Sequence, residues 1–111
     1  MIANKVSSYF MPHGLGHLVG LDVHDTSVYP PVLQPNMIIT IEPGLYFISQ
    51  LLDKARADPA VSAFINWEMI DAHYAGIGGV RIEDEVLITQ DGFEILTDAA
   101  PKTIQEIEKL L

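Results

Sequence analysis

Strict alternation of apolar and polar residues marks strands in this chain, and apolar residues at helical spacing mark its helices. Met37 to Glu42 reads Met-Ile-Ile-Thr-Ile-Glu, β-branched and apolar, and predicts a strand with Ile39 and Ile41 on one face. Ile38, Thr40 and Glu42 fall on the other face. Pro43-Gly44 turns the chain into a second extended run, Leu45 to Ile48. From Gln50 to about His73 the period becomes helical, with Leu51, Leu52 and Ala55 in step, an interruption at Asp58-Pro59, and a resumption over Val61 to Ile70. After Gly76, Gly78 and Gly79 a long strand is expected from Val80 to Thr89. It places Val80, Ile82, Val86 and Ile88 on one face and Arg81, Glu83, Glu85 and Leu87 on the other. Gln90-Asp91-Gly92 is a hairpin turn, and Phe93 to Leu96 returns. Lys102 to Leu111 predicts a terminal helix with Ile104, Ile107 and Leu111 in step, and Thr103 with Glu106 could form a capping box. Residues 1–9 fit the end of a helix, and Pro30-Pro31 and Pro35-Asn36 mark a loop. Strands and helices in this order give an α+β fold.

Composition narrows the class. With 111 residues, 49% apolar and 19% charged, the chain can fold around a core, and its length suits one small domain. Its net charge of −9 repels phosphate backbones and anionic headgroups, so neither nucleic acid nor a membrane surface is an expected partner. Absence of cysteine excludes disulfides, thiolate metal sites and thiol catalysis, and is compatible with a cytoplasmic location. No stretch reaches the ~20 apolar residues of a membrane span, and the first nine residues lack the apolar core of a signal peptide.

Three features offer chemistry. His13, His17 and His24 lie within twelve residues of a glycine-rich run. A lone histidine is usually a core or surface residue, but three around one flexible segment suit a metal or substrate site. His13 and His17 have the spacing of a helical ligand pair, yet Gly14 and Gly16 argue against a helix there. Glu42 ends an aliphatic strand. It either faces water or needs a cation, a metal or hydrogen bonds, since a bare buried carboxylate costs several kcal/mol. Arg81, Glu83 and Glu85 share a strand face that, alone, reads equally as a solvated ion pair worth ~0–1 kcal/mol. Together, an imidazole and two strand-borne carboxylates are suitable ligands for hard or borderline divalent metals.

The run Pro12-His13-Gly14-Leu15-Gly16-His17-Leu18-Val19-Gly20-Leu21-Asp22-Val23-His24-Asp25 resembles the histidine motif of prolidases. Thr40-Ile41-Glu42-Pro43-Gly44-Leu45-Tyr46-Phe47 resembles their first glutamate motif, and Gly78-Gly79-Val80-Arg81-Ile82-Glu83-Asp84 their second. The likeness continues through Gly92-Phe93-Glu94-Ile95-Leu96-Thr97 and covers nearly the whole chain. It implies the C-terminal half of the pita-bread fold, a curved antiparallel sheet with flanking helices. It also implies a dinuclear metallopeptidase that hydrolyses Xaa-Pro dipeptides with a hydroxide bridging two divalent ions, most often Mn2+. By motif position, His17, Glu42 and Glu83 would be metal ligands. Glu42 would also shuttle the proton, and His24 would hydrogen-bond the scissile carbonyl. His13, His24 and Arg81 would be substrate-binding residues. The full-length family implies a homodimer acting on a dipeptide with C-terminal proline.

Two departures accompany the resemblance. The chain begins just upstream of the histidine motif, so residues 1–111 would be the C-terminal portion of the catalytic domain. The N-terminal domain, the first half of the catalytic domain and both aspartate ligands would be absent. Weak or partial metal binding and no activity alone are expected of such a fragment, with activity in a longer or complemented enzyme. The stretch Thr26 to Val32 is also shorter than the prolidase loop and carries no arginine for a substrate carboxylate. An aminopeptidase P-like enzyme and a non-catalytic homologue acting as a binding or assembly module are the alternatives.

Overall fold

Pro43 has no N–H to give a β-ladder, and the chain breaks there into two strands, β2 (Ile38–Ile41) and β3 (Gly44–Phe47). The computed structural model describes residues 5–26 and 32–111 of the chain. The break has a counterpart on the opposite strand. The stretch expected as one strand from Val80 to Thr89 is two, β4 (Gly78–Arg81) and β5 (Asp84–Ile88). Pairing shows where each strand stops: the β2–β5 ladder ends at Ile41 with Asp84, and the β3–β4 ladder ends at Gly44 with Arg81. Both candidate glutamates follow or precede such a strand end, Glu42 after β2 and Glu83 before β5. β3 and β4 form a two-stranded sheet. With β1 (Leu18–Val19) and β6 (Phe93–Ile95), the other strands form a four-stranded sheet in the order β1-β2-β5-β6. Every pairing is antiparallel.

The chain divides into two compact units, one made of the residues up to Gly14 with Pro43–Arg81, the other of Leu15–Glu42 with Ile82–Leu111. In the first, α1 (Ser7–Phe10) falls where a helix end was expected, and α2 (Ser49–Ala57) buries Leu52 and Ala55 of the positions picked out by spacing, with Leu51 half-buried. Phe10, Ile65 and Trp67 pack against two small cores, Val6 with Ala55 and Val61, and Phe47 with Leu52 and Ile70. Asp58 ends α2 and caps α3 (Pro59–Ser62) by accepting the Ala60 N–H, so the expected interruption is a cap. The resumed helix differs from expectation. It breaks again after Ser62, and Asn66 caps α4 (Trp67–Met69), which runs into a π-helical turn at Ile70–Tyr74. Two polar side chains accept the backbone N–H groups that helix continuation would have paired with carbonyls.

In the second unit Ile39, Ile41, Val86 and Ile88 lie on one side of the sheet as expected, beside Asp84, Phe93 and Ile95, whereas Ile82, expected with them, lies outside the strands. The hairpin closes with the Thr89 N–H donating to the Gly92 carbonyl. Lys102 fastens the C-terminal segment to β5 by donating to Asp84 Oδ1 at 2.7 Å. The terminal helix α5 (Ile104–Glu108) is shorter than expected but carries the capping box. Among the described residues no helix is long and apolar enough to cross a membrane. The shortened loop noted between Thr26 and Val32 lies almost wholly outside the described residues.

Candidate metal centre

β2 presents Thr40 and Glu42 on the face opposite Ile39 and Ile41, and both are buried, at 2% and 7% exposure. The glycine-rich run lies along this strand. Thr40 N–H donates to the His17 carbonyl and Glu42 N–H to the Leu15 carbonyl. Gly16 permits that approach, since a Cβ there would lie 1.8 Å from the Thr40 carbonyl oxygen. His17 is thereby held with its Nε2 3.1 Å from Glu42 Oε1.

One ligand atom each from His17, Glu42 and Glu83 lies within 4.8 Å of the other two. Metal–ligand bonds of ~2.0–2.2 Å put donors around one ion at most about 4.4 Å apart, so the three tips stand near that spacing. The protonation pattern suits a cation too. His17 Nδ1 lies 3.0 Å from the Leu18 carbonyl, which can only accept, so Nδ1 carries the hydrogen. Nε2 then meets Glu42 either as a second N–H or as a bare lone pair. In the neutral ring Nε2 is a lone pair turned toward the Glu42 carboxylate, and a lone pair of this kind can ligate a metal. Orientation of a ligating ring by a carbonyl on its other nitrogen is the usual support for a metal-bound histidine.

His24 lies against one member of the cluster, its ring edge-on to that of His17 with centroids 4.4 Å apart. It is exposed, whereas His17 is half-buried. His13 and Arg81 belong to the other unit. There His13 Nδ1 donates to the Gly14 carbonyl at 2.7 Å, so in the neutral ring Nε2 accepts the Tyr46 hydroxyl at 3.0 Å. The two rings meet edge to face. Arg81 ends β4, exposed and in register with Gly44.

Sequence reasoning passed over Thr40 and Tyr46. Thr40 Oγ1 donates to Glu42 Oε1 at 2.6 Å and accepts the His17 N–H at 3.0 Å. Alternation had already put Thr40 on the Glu42 face, and that was the available signal. Tyr46 gave none, because its partner His13 is 33 residues away.

The family description for metallopeptidase family M24 matches residues 2–90. The chain is 45% identical to the Xaa-Pro dipeptidase of Homo sapiens over 125 residues, which cover 97% of this chain and 25% of that protein. Identity to the Xaa-Pro dipeptidase of Rattus norvegicus is 44%, with the same coverage. Among solved structures, E. coli aminopeptidase P with the inhibitor Pro-Leu superposes with a TM-score of 0.72 at 39% identity, over 98% of this chain and 22% of that one. That likeness gives the architecture as a fragment of the pita-bread fold. The chain spans about a quarter of the length of the curated relatives it matches.

Proposed function

The chain belongs to metallopeptidase family M24, and from that membership we propose that it supplies part of the active site of a Xaa-Pro dipeptidase. The observation that carries this is the convergence of His17, Glu42 and Glu83 on one small volume. Their nitrogen and oxygen donors suit hard or borderline divalent ions, and manganese fits that set. Divalent ions held there would polarise the scissile carbonyl and bring the pKa of water toward neutrality.

The roles proposed for the chain's own residues are those that the prolidase resemblance implies. His17 and the two glutamates hold charge and position. Glu42, itself in the cluster and able to take and return a proton, would carry it from water to the leaving nitrogen. His24, exposed beside His17, would donate a hydrogen bond to the carbonyl oxygen as it gains charge, a contribution of ~2.7–4 kcal/mol for such donors. His13 and Arg81 would bind the substrate. The active enzyme would be longer or complemented, dimeric and cytoplasmic, and this chain alone would be inactive.

The test is turnover of a Xaa-Pro dipeptide with Mn2+, by a longer parent or by this chain complemented with the rest of the domain. Glu83→Ala should abolish it, and unchanged turnover would remove Glu83 from the site. The likeness to aminopeptidase P favours a second assignment, cleavage of longer peptides with proline second. Comparing such a peptide with the dipeptide separates the two.

A further inference from the structure

Thr40 has the least exposed polar side chain of its strand face, at 2%, and its hydrogen bonds define a junction. A backbone N–H can only donate, so Thr40 Oγ1 must accept from His17 N, at 3.0 Å. Its own hydrogen is then directed to Glu42 Oε1, at 2.6 Å. The same Oε1 faces His17 Nε2 at 3.1 Å. One hydroxyl therefore touches both the backbone of one candidate ligand and the carboxylate of another. Its Cβ methyl restricts χ1, which holds the oxygen at this junction.

We propose that Thr40 is a positioning residue of the metal site, whose hydroxyl fixes the Glu42 carboxylate and locks the His17 loop onto β2. The inference rests on the metal-site assignment of His17, Glu42 and Glu83, and extends it to a residue that would touch neither metal nor substrate. Loss of the hydroxyl would take from the half-buried His17 N–H its acceptor and from Glu42 Oε1 one of its hydrogen bonds. Hydrogen-bond partners of this kind typically change metal affinity 10–100-fold when removed.

Thr40→Val keeps the shape and removes the hydroxyl, whereas Thr40→Ser keeps the hydroxyl. Two readouts on this chain decide: Mn2+ affinity by calorimetry, and exchange of the His17 amide hydrogen in the metal-free chain by NMR. Thr40→Val should weaken Mn2+ binding by about tenfold or more and speed His17 amide exchange by about as much. Thr40→Ser should stay within about threefold of the parent in both. Glu83→Ala serves as the separate control and should lose Mn2+ binding. If that control behaves while Thr40→Val matches the parent in both readouts, the metal site stands and the role of Thr40 is overturned. If the parent binds no Mn2+, the metal assignment for this chain fails and amide exchange alone judges Thr40: faster in Thr40→Val supports the lock, unchanged overturns it. Should Thr40→Val not fold, Thr40→Ser decides, since a loss of affinity or protection beyond about tenfold in a variant that retains the hydroxyl overturns the proposal.

Discussion

Single residues in the His17 region are constrained by atoms that have only one hydrogen-bonding role. The Leu18 carbonyl fixes the proton on His17 Nδ1, and the His17 N–H fixes the direction of the Thr40 hydroxyl. Gly16 is constrained by space instead, because a methyl there would meet the Thr40 backbone oxygen at 1.8 Å, and backbone cannot swing aside as a side chain can. Gly16→Ala should therefore destabilise the chain by about 1–3 kcal/mol or more, the usual range for overpacking. Denaturant unfolding at fixed pH measures this, and a midpoint equal to the parent's would show that the loop shifts without strain. At this scale much was legible. His17, Glu42 and Glu83 were named from residue type and motif, and their tips converge. Tyr46 was not legible, because a pairing between two rings 33 residues apart leaves no periodic trace.

Elements end where side chains replace the backbone's own partners, and sequence shows these ends unevenly. Thr103 and Glu106 announce a capping box by spacing, and both reciprocal bonds are made. The break between β4 and β5 was invisible because its cause lies on the paired strand, where Pro43 stops the ladder. The capping box gives a pH prediction. The Thr103 backbone N–H, then the Thr103 hydroxyl, then the Lys102 N–H hold the Glu106 carboxyl below its ordinary value, outweighing a small opposing effect of burial. The folded chain thus binds the Glu106 proton less readily than the unfolded chain. The stabilisation is complete above the ordinary glutamate pKa of ~4.3 and is lost as pH falls through the lower folded value. Carboxyl carbon shifts followed by NMR should place the Glu106 midpoint below the ordinary glutamate value. Thr103→Ala should move it back up and cost roughly 1 kcal/mol of helix stability, as loss of an N-cap does. An unmoved midpoint would mean that the box does not persist in solution.

For the whole molecule, apolar exposure and net charge act in opposite directions. The sheet face carrying Ile39, Ile41, Val86 and Ile88 borders a groove of about 380 Å³, and on it Phe93 and Ile95 remain 67% and 37% exposed. Ile104, Ile107 and Leu110 of the C-terminal segment are exposed as well. Exposed apolar surface of this kind favours association. The charge of −9 at pH 7 opposes it, but only over a Debye length, ~10 Å at 0.1 M salt. Salt should therefore weaken the repulsion and leave the apolar attraction intact. Sedimentation of this chain at pH 7 should show mass rising with protein concentration, and rising further from low to moderate salt. Approach to the sequence pI of about 4.5 should have the same effect by removing the charge itself. Ile95→Lys, placed on the sheet face, should reduce the association at every salt concentration. A stable monomer under all these conditions would mean that the exposed face is too small or too interrupted to bind a second copy.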